Sequence, residues 1–452
     1  MIRQSESPDR AHIRSVSGTF LCISRFAVAT SVLETGSPHY RHDASDLCPA
    51  GRANLGVGTV KRLDILDGMR GYFLVFMLLN HLIFAGGYWL VEINHRQLTF
   101  VEDAQGFVFL SGLLVGMVYA RRMLKSGYEA GRDKIWARAL ELYRYAMGII
   151  LVVLLARLLL PGATAIWQNW LGETHLDDPL RLAAIAAFLF QPTFMDILPQ
   201  YIIYMIFAPM LIWLCITNRW TMVAIGSLVV WMAGQLGLHR IVTYPIDSWL
   251  GAPDSEGLRV SFNLLGWQIV FFSGLIAGSL TAVNKIEWHK VFSPERTLIP
   301  KAALTILIFF LPLRIATAYD MLPGFVLEKF GTLEIRADFG PVYLINFAAL
   351  ATGMAWLLIA GPRHRDSRIR KTASLVTAVF SFRYLQLLGR HSLQVYVWHV
   401  LIVFMVYYID GKTPEFSQIT KTAIAVFCVA LLSLPALYRE RERWLPSPAT
   451  AT

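Results

Sequence analysis

The chain has 452 residues, 55% of them hydrophobic and only 16% charged, with a mean hydropathy of +0.49. A soluble domain carries about 25% charged residues, so a water-soluble enzyme of this length is excluded. The net charge of +10, from 41 Lys and Arg against 31 Asp and Glu, sits beside apolar segments and reads as topology marking, with no nucleic-acid partner implied.

Residues 1–60 are polar, with one short apolar run from Phe20 to Leu33 interrupted by Arg25. They contain no signal-peptide core and predict a flexible cytoplasmic tail. Apolar stretches then recur at about 71–91, 104–120, 141–160, 199–217, 220–238, 263–282, 299–318, 341–361, 393–410 and 420–438. They predict an all-α polytopic membrane bundle of about ten transmembrane helices over residues 61–440, with a short cytoplasmic tail at 441–452. Residues 181–195 are apolar but short and broken at Gln191-Pro192, which fits a re-entrant segment as well as a span. Residues 374–390 carry Arg383 and Gln386 and predict an interfacial helix.

Basic residues gather on alternate connections: Lys61 and Arg62, then Arg121, Arg122, Lys125, Arg132, Lys134 and Arg138. The series continues with Lys285, Lys290 and Arg296, the run Arg363 to Lys371, and Arg439 to Arg443. The other connections hold scattered cations such as Arg96, Arg240 and Arg336 among acids such as Glu173, Glu256 and Glu334. The positive-inside rule therefore places both termini in the cytoplasm. Cys22, Cys48, Cys215 and Cys428 lack CxxC spacing, and no His, Cys and Asp residues fall at metal-ligand spacing. No metal or tightly bound cofactor is expected. The triplet Gly411-Lys412-Thr413 has Val406 where a phosphate-binding loop needs its first glycine.

Polar residues inside apolar stretches carry the chemistry. In the first stretch Arg70 is followed 11 residues later by His81, about 16 Å along a helix. Arg70 then sits near the cytoplasmic interface and His81 near mid-membrane, where an imidazole needs a polar partner or a cavity. Asp64 and Asp67 suit capping of that helix or pairing with Arg70. Ser111 and Gly112 permit close helix approach. His399 is a second buried imidazole, with Gln394 and Tyr396 placed to line the same interior. Asp196 stands before Pro199 where a helix cap is wanted, on the face a polar acceptor would approach.

The segments LDILDGMRGYFLVFMLLNHL, FVFLSGLLVG, DILPQYIIYMIFAPM and LGRHSLQVYVWH together resemble OpgC-type proteins. These are membrane succinyltransferases of osmoregulated periplasmic glucans, within the acyltransferase type 3 superfamily. The resemblance covers roughly residues 61–440. It implies transfer of an acyl group, succinyl being favoured, from cytoplasmic acyl-CoA to a glucan hydroxyl across a bacterial inner membrane. By residue, it implies that His81 is the catalytic histidine, Arg70 the motif arginine, Asp64 and Asp67 part of the N-terminal motif, and His399 the late motif histidine.

Acyl-CoA is anionic and cytoplasmic, so Arg121, Arg122, Lys134, Arg138 and the 363–371 run are expected to attract its phosphates, together with Arg70. A hydroxyl is a poor nucleophile until a base takes its proton, and a neutral histidine suits that work. The partners expected are acyl-CoA, a glycan acceptor and membrane lipids; a homo-oligomer is left open. The alternative is a transporter or flippase for a polar or acidic solute, with buried His and Arg lining a path.

Overall fold

A computed structural model describes residues 64–251 and 257–444. The tail at 1–60 with its apolar run lies outside the described residues, as does 445–452. The labelled helices are α1 (Asp64–His81), α2 (Asp103–Leu159), α3 (Pro179–Ala186), α4 (Ile197–Ile216), α5 (Trp220–Gln235), α6 (Arg240–Gly251), α7 (Leu264–Ala282) and α8 (Leu298–Ala318). They continue as α9 (Gly324–Gly331), α10 (Pro341–Ile359), α11 (Ser367–Phe380), α12 (Arg383–Arg390), α13 (Ser392–Asp410), α14 (Gln418–Leu431) and α15 (Leu434–Trp444). The protein is an all-α polytopic membrane bundle.

Among the described residues, seven segments are long and apolar enough to cross a membrane: α2, α4, α7, α8, α10, α13 and the joined α14–α15. An eighth is added if α5 and α6, bent by 53° at their break, form one span. The expected ten is therefore not reached on length and hydropathy, for two reasons. Helix α1 carries Asp64, Asp67 and Arg70 within 18 residues, which is too much charge for an ordinary span. The expected spans at 104–120 and 141–160 both fall within the 57-residue α2.

That helix is broken at Gly127 (φ 85°, ψ 165°). Across the break the Arg122 Nε donates to the Ala130 carbonyl at 3.3 Å, and the Met123 side chain lies against Gly131. Residues eight apart on a straight helix would be separated by about 12 Å, so the chain turns back here. Only a glycine takes this φ without strain. The two limbs, 103–126 and 128–159, are separate rods.

Two other expectations resolve. Residues 181–195 form most of the short α3 and an irregular stretch with one isolated bridge between Phe190 and Arg259, not a span. Residues 374–390 are split into α11 and α12 at Ser381-Phe382, not one interfacial helix.

Small residues set the helix crossings. On α1, a Cβ at Gly68 would lie 1.7 Å from the Phe380 carbonyl oxygen, and one at Gly71 1.9 Å from that of Leu385. From the other side, a Cβ at Gly389 would lie 1.8 Å from the Asp67 oxygen. The DGMRG motif thus lets α1 touch α12 backbone to backbone. Likewise Gly112 and Gly116 of α2 meet the Phe271 and Leu275 carbonyls of α7, while Gly274 and Gly278 meet Phe109 and Leu113. Without a hydrophobic drive between helices in lipid, such close van der Waals packing holds them together. Gly71→Val is expected to push α1 off α12 and cost at least about 1–3 kcal/mol, read as a lowered Tm in detergent. An unchanged Tm would show that the crossing does not hold the bundle.

Candidate active site

Helix α1 carries Arg70 in its second turn and ends at His81. The expectation of a first span running to residue 91 is corrected here: the chain leaves the helix through Gly86 and Gly87, both at positive φ (70° and 66°). The loop after His81 is gripped from two helices. Lys421 of α14 is fully buried and donates to the carbonyls of Ala85 and of Gly87 (3.1 Å), while pairing with Glu415 at 3.0 Å. Asp410, the last residue of α13, accepts from the Ala85 N–H at 2.9 Å. The Tyr88 hydroxyl donates back to the Leu79 carbonyl.

His81 is thereby set beside His399, also on α13. Its Nδ1 lies 3.1 Å from His399 Nε2, and its ring packs 4.4 Å from that of Phe194. His399 is fully buried, and its Nδ1 bonds to the Tyr396 carbonyl. A carbonyl only accepts, so this nitrogen carries the hydrogen of neutral His399. Nε2 of His399 then accepts, and Nδ1 of His81 must donate. The lone pair of neutral His81 is left on its Nε2, ready to take a proton.

Tyr396 joins this relay to a pocket. Its hydroxyl donates to the Phe194 carbonyl at 2.8 Å, holding Phe194 at a φ of 68°. A non-glycine residue in that region costs about 1–3 kcal/mol and persists only where its surroundings hold it. The pocket is lined by Arg70, Ser111, Arg138, Tyr201, Ser392 and Tyr396, with Phe107, Leu142 and Leu198 among its apolar walls. Arg70 donates to the Ser392 hydroxyl and, at 3.5 Å, to the Gly389 carbonyl, with its guanidinium 5.5 Å over Phe107. The glycine contact between α1 and α12 puts these groups within its reach.

The other expected site residues fall as follows. Asp64 pairs with Arg390 at 3.3 Å, and Asp67 is buried in the first turn of α1. Arg121 and Arg122 lie near the Gly127 turn and do not line the pocket; Arg138, from the same basic group, does. Gln394 turns to the Tyr145 hydroxyl (3.3 Å) and is likewise outside the lining. Asp196 precedes α4 but makes no capping bond, which corrects the cap reading: its backbone is helical (φ −84°, ψ −25°) and its carboxylate bonds to Ser261. No group of three or more His, Cys, Asp or Glu side chains among the described residues is placed to hold a metal.

Several participants were missed by the sequence reading. Lys421 had a signal, being a lysine inside an expected span. Ser392 and Asn80 lie inside the quoted motifs without a role of their own there, and Phe194 and Asp103, the latter bonded to Asn80 at 2.6 Å, had no signal, because these roles depend on neighbours distant in sequence.

Residues 61–444 match the family described as OpgC protein. No curated protein and no solved structure matches the chain. The fold and this match define an integral-membrane acyltransferase, multi-pass in the bilayer and acting on periplasmic glucan. The chain belongs to the OpgC family, within the acyltransferase type 3 superfamily.

Lys421→Met would leave two carbonyls of the His81 loop without their donor. A loss of about 1–3 kcal/mol for each carbonyl left without its donor is expected, read as a fall in Tm. A Tm equal to that of the parent protein would mean the loop holds itself.

Proposed function

We propose that the protein transfers a succinyl group from cytoplasmic succinyl-CoA to a hydroxyl of a periplasmic glucan, with His81 as general base. The observation that carries this reading is the relay Tyr396–His399–His81, which leaves the Nε2 lone pair of His81 free for a proton. Arg70 and Arg138 give the adjacent pocket its positive charge, suited to a CoA phosphate. Ser111 and Tyr396 line that pocket, and the Tyr396 carbonyl ties its wall to the relay. His399 acts as a positioning residue that fixes the tautomer of His81 and shares the positive charge when the proton arrives.

The step balances within one ternary complex. The glucan hydroxyl oxygen attacks the thioester carbon as its proton passes to His81 Nε2, and the carbonyl electron pair moves onto oxygen. Collapse of that oxyanion breaks the C–S bond, and the departing thiolate takes the proton back from His81. Ester and free CoA result, and the base is regenerated. Among the described residues no serine or cysteine is paired with His81, which supports direct transfer over an acyl-enzyme.

His81→Ala is expected to assemble at near-normal levels yet lose roughly 10²-fold or more of transfer. His399→Ala should lower kcat with less effect on the KM for acyl-CoA. Transfer by His81→Ala at the parent rate would remove the base. A kinetically competent acyl adduct on His81, detected by mass spectrometry without acceptor, would replace direct transfer by a covalent route.

The same reading has ten spans with both termini cytoplasmic: the eight apolar segments, the charged α1, and the second limb of α2. The spacing of basic connections supports it. Cysteines introduced at Glu173 and Arg368 should be labelled from outside and from inside respectively. Labelling of both from one side would overturn this topology.

A further inference from the structure

Connections on the extracytoplasmic side carry few cations, so three arginines gathered there call for a reason. Arg96, Arg314 and Arg336 are far apart in the chain and meet around Glu102, the buried residue before α2. Arg336 Nε donates to Glu102 Oε2 at 2.5 Å, and Arg96 Nε lies 3.6 Å from Glu102 Oε1. Arg314 Nε donates to the Arg96 carbonyl at 2.8 Å. Phe100 lies beneath the Arg314 guanidinium at 5.5 Å, and Phe262 beneath that of Arg336 at 5.8 Å.

In all three it is Nε that is anchored. Their terminal nitrogens make no hydrogen bond among the described residues. The side chains of Arg96 and Arg336 are 41% and 50% exposed, so these forks are open to a ligand. One guanidinium would suffice to pair Glu102. Glu334, which accepts from Tyr343 at 3.2 Å, together with Asp103 and Asp196, offsets the remaining cations. The feature is therefore a set of held, unspent N–H forks rather than an excess of charge. His95 adds no cation, because burial pushes its imidazole down to about 4.

The cluster adjoins the proposed base. Asp103, the neighbour of Glu102, accepts at 2.6 Å from Asn80, the neighbour of His81.

We propose that Arg96, Arg314 and Arg336 form an anion site that holds the free carboxylate of a dicarboxylic acyl donor while its thioester end reacts at His81. This rests on the reading of His81 as the base. A planar carboxylate matches a guanidinium fork through two parallel N–H···O bonds, whereas a methyl group in its place leaves the fork unpaired. The site thereby selects a dicarboxylic acyl chain over a neutral one of equal length.

The test compares succinyl-CoA with butyryl-CoA, in which a methyl replaces the carboxylate, using purified full-length protein and unmodified glucan. Arg336→Gln should lower the succinyl-to-butyryl ratio of kcat/KM by at least about tenfold. Arg336→Lys should lower it less, since an ammonium keeps the charge and loses the fork. Arg96→Gln, at a more loosely held position, should shift the ratio in the same direction and covers the case in which Arg336→Gln fails to fold. An unchanged ratio in these variants, or a parent ratio near one, overturns the proposal. Repeating the assay with glucan already carrying succinyl groups separates the other source of a carboxylate. A raised KM for that acceptor alone would move the site from donor to product and overturn the assignment. An active His81→Ala would defeat the reading of the base, while a fallen ratio in Arg336→Gln would still stand.

Discussion

The contact of α1 with α12 is made without side chains between the two backbones, through Gly71 on one helix and Gly389 on the other, while Gly68 meets the end of α11 in the same way. Any Cβ at these positions would overlap a carbonyl oxygen, so the two helices meet at this distance only with glycine there. The consequence is local and chemical. With α12 this close, the guanidinium of Arg70 reaches Gly389 and the Ser392 hydroxyl at the start of α13, the helix that carries Tyr396 and His399. The pocket wall and the histidine relay are then parts of one rigid frame. Each later step of the chemistry inherits its geometry from that crossing.

A second constraint acts at the other end of α1. In a bilayer, a helix that ends must have its free carbonyls and N–H groups met by protein, since hydrocarbon offers no partner. Lys421 and Asp410 meet those of the loop after His81, and both come from helices that flank the relay. The same groups that satisfy the backbone therefore locate His81. The expense of burying an ammonium explains why such a lysine stands inside an apolar segment, where it would be costly without its carbonyl partners and Glu415.

The glycine pairs on α2 and α7 repeat the device at the opposite side of the pocket. They fix the wall that carries Phe107, Val108 and Ser111. In this family member the recurrent small residues of the DGMRG and FLSG segments are thus requirements of packing, and the polar residues beside them are delivered to the pocket by it.

The sequence by itself determined the all-α membrane class, the positions of the apolar helices, the family, and Arg70, His81 and His399 as the residues to watch. Those properties are written in composition, period and short motifs, which survive in one dimension. It did not determine that α1 stops at His81, because the stop depends on Lys421 and Asp410, more than 300 residues away. Nor did it show that Arg138 lines the pocket while Arg121 and Arg122 do not, since that follows from the reversal at Gly127. The tautomer of His81 was equally out of reach: it is set by a hydrogen-bond chain ending at a backbone carbonyl, and such a chain exists only once α1 and α13 are packed together. Arg96, Arg314 and Arg336 read as unrelated charges in the linear chain and become one cluster only when the fold brings the Nε of Arg96 and of Arg336 to Glu102 and that of Arg314 to the Arg96 carbonyl.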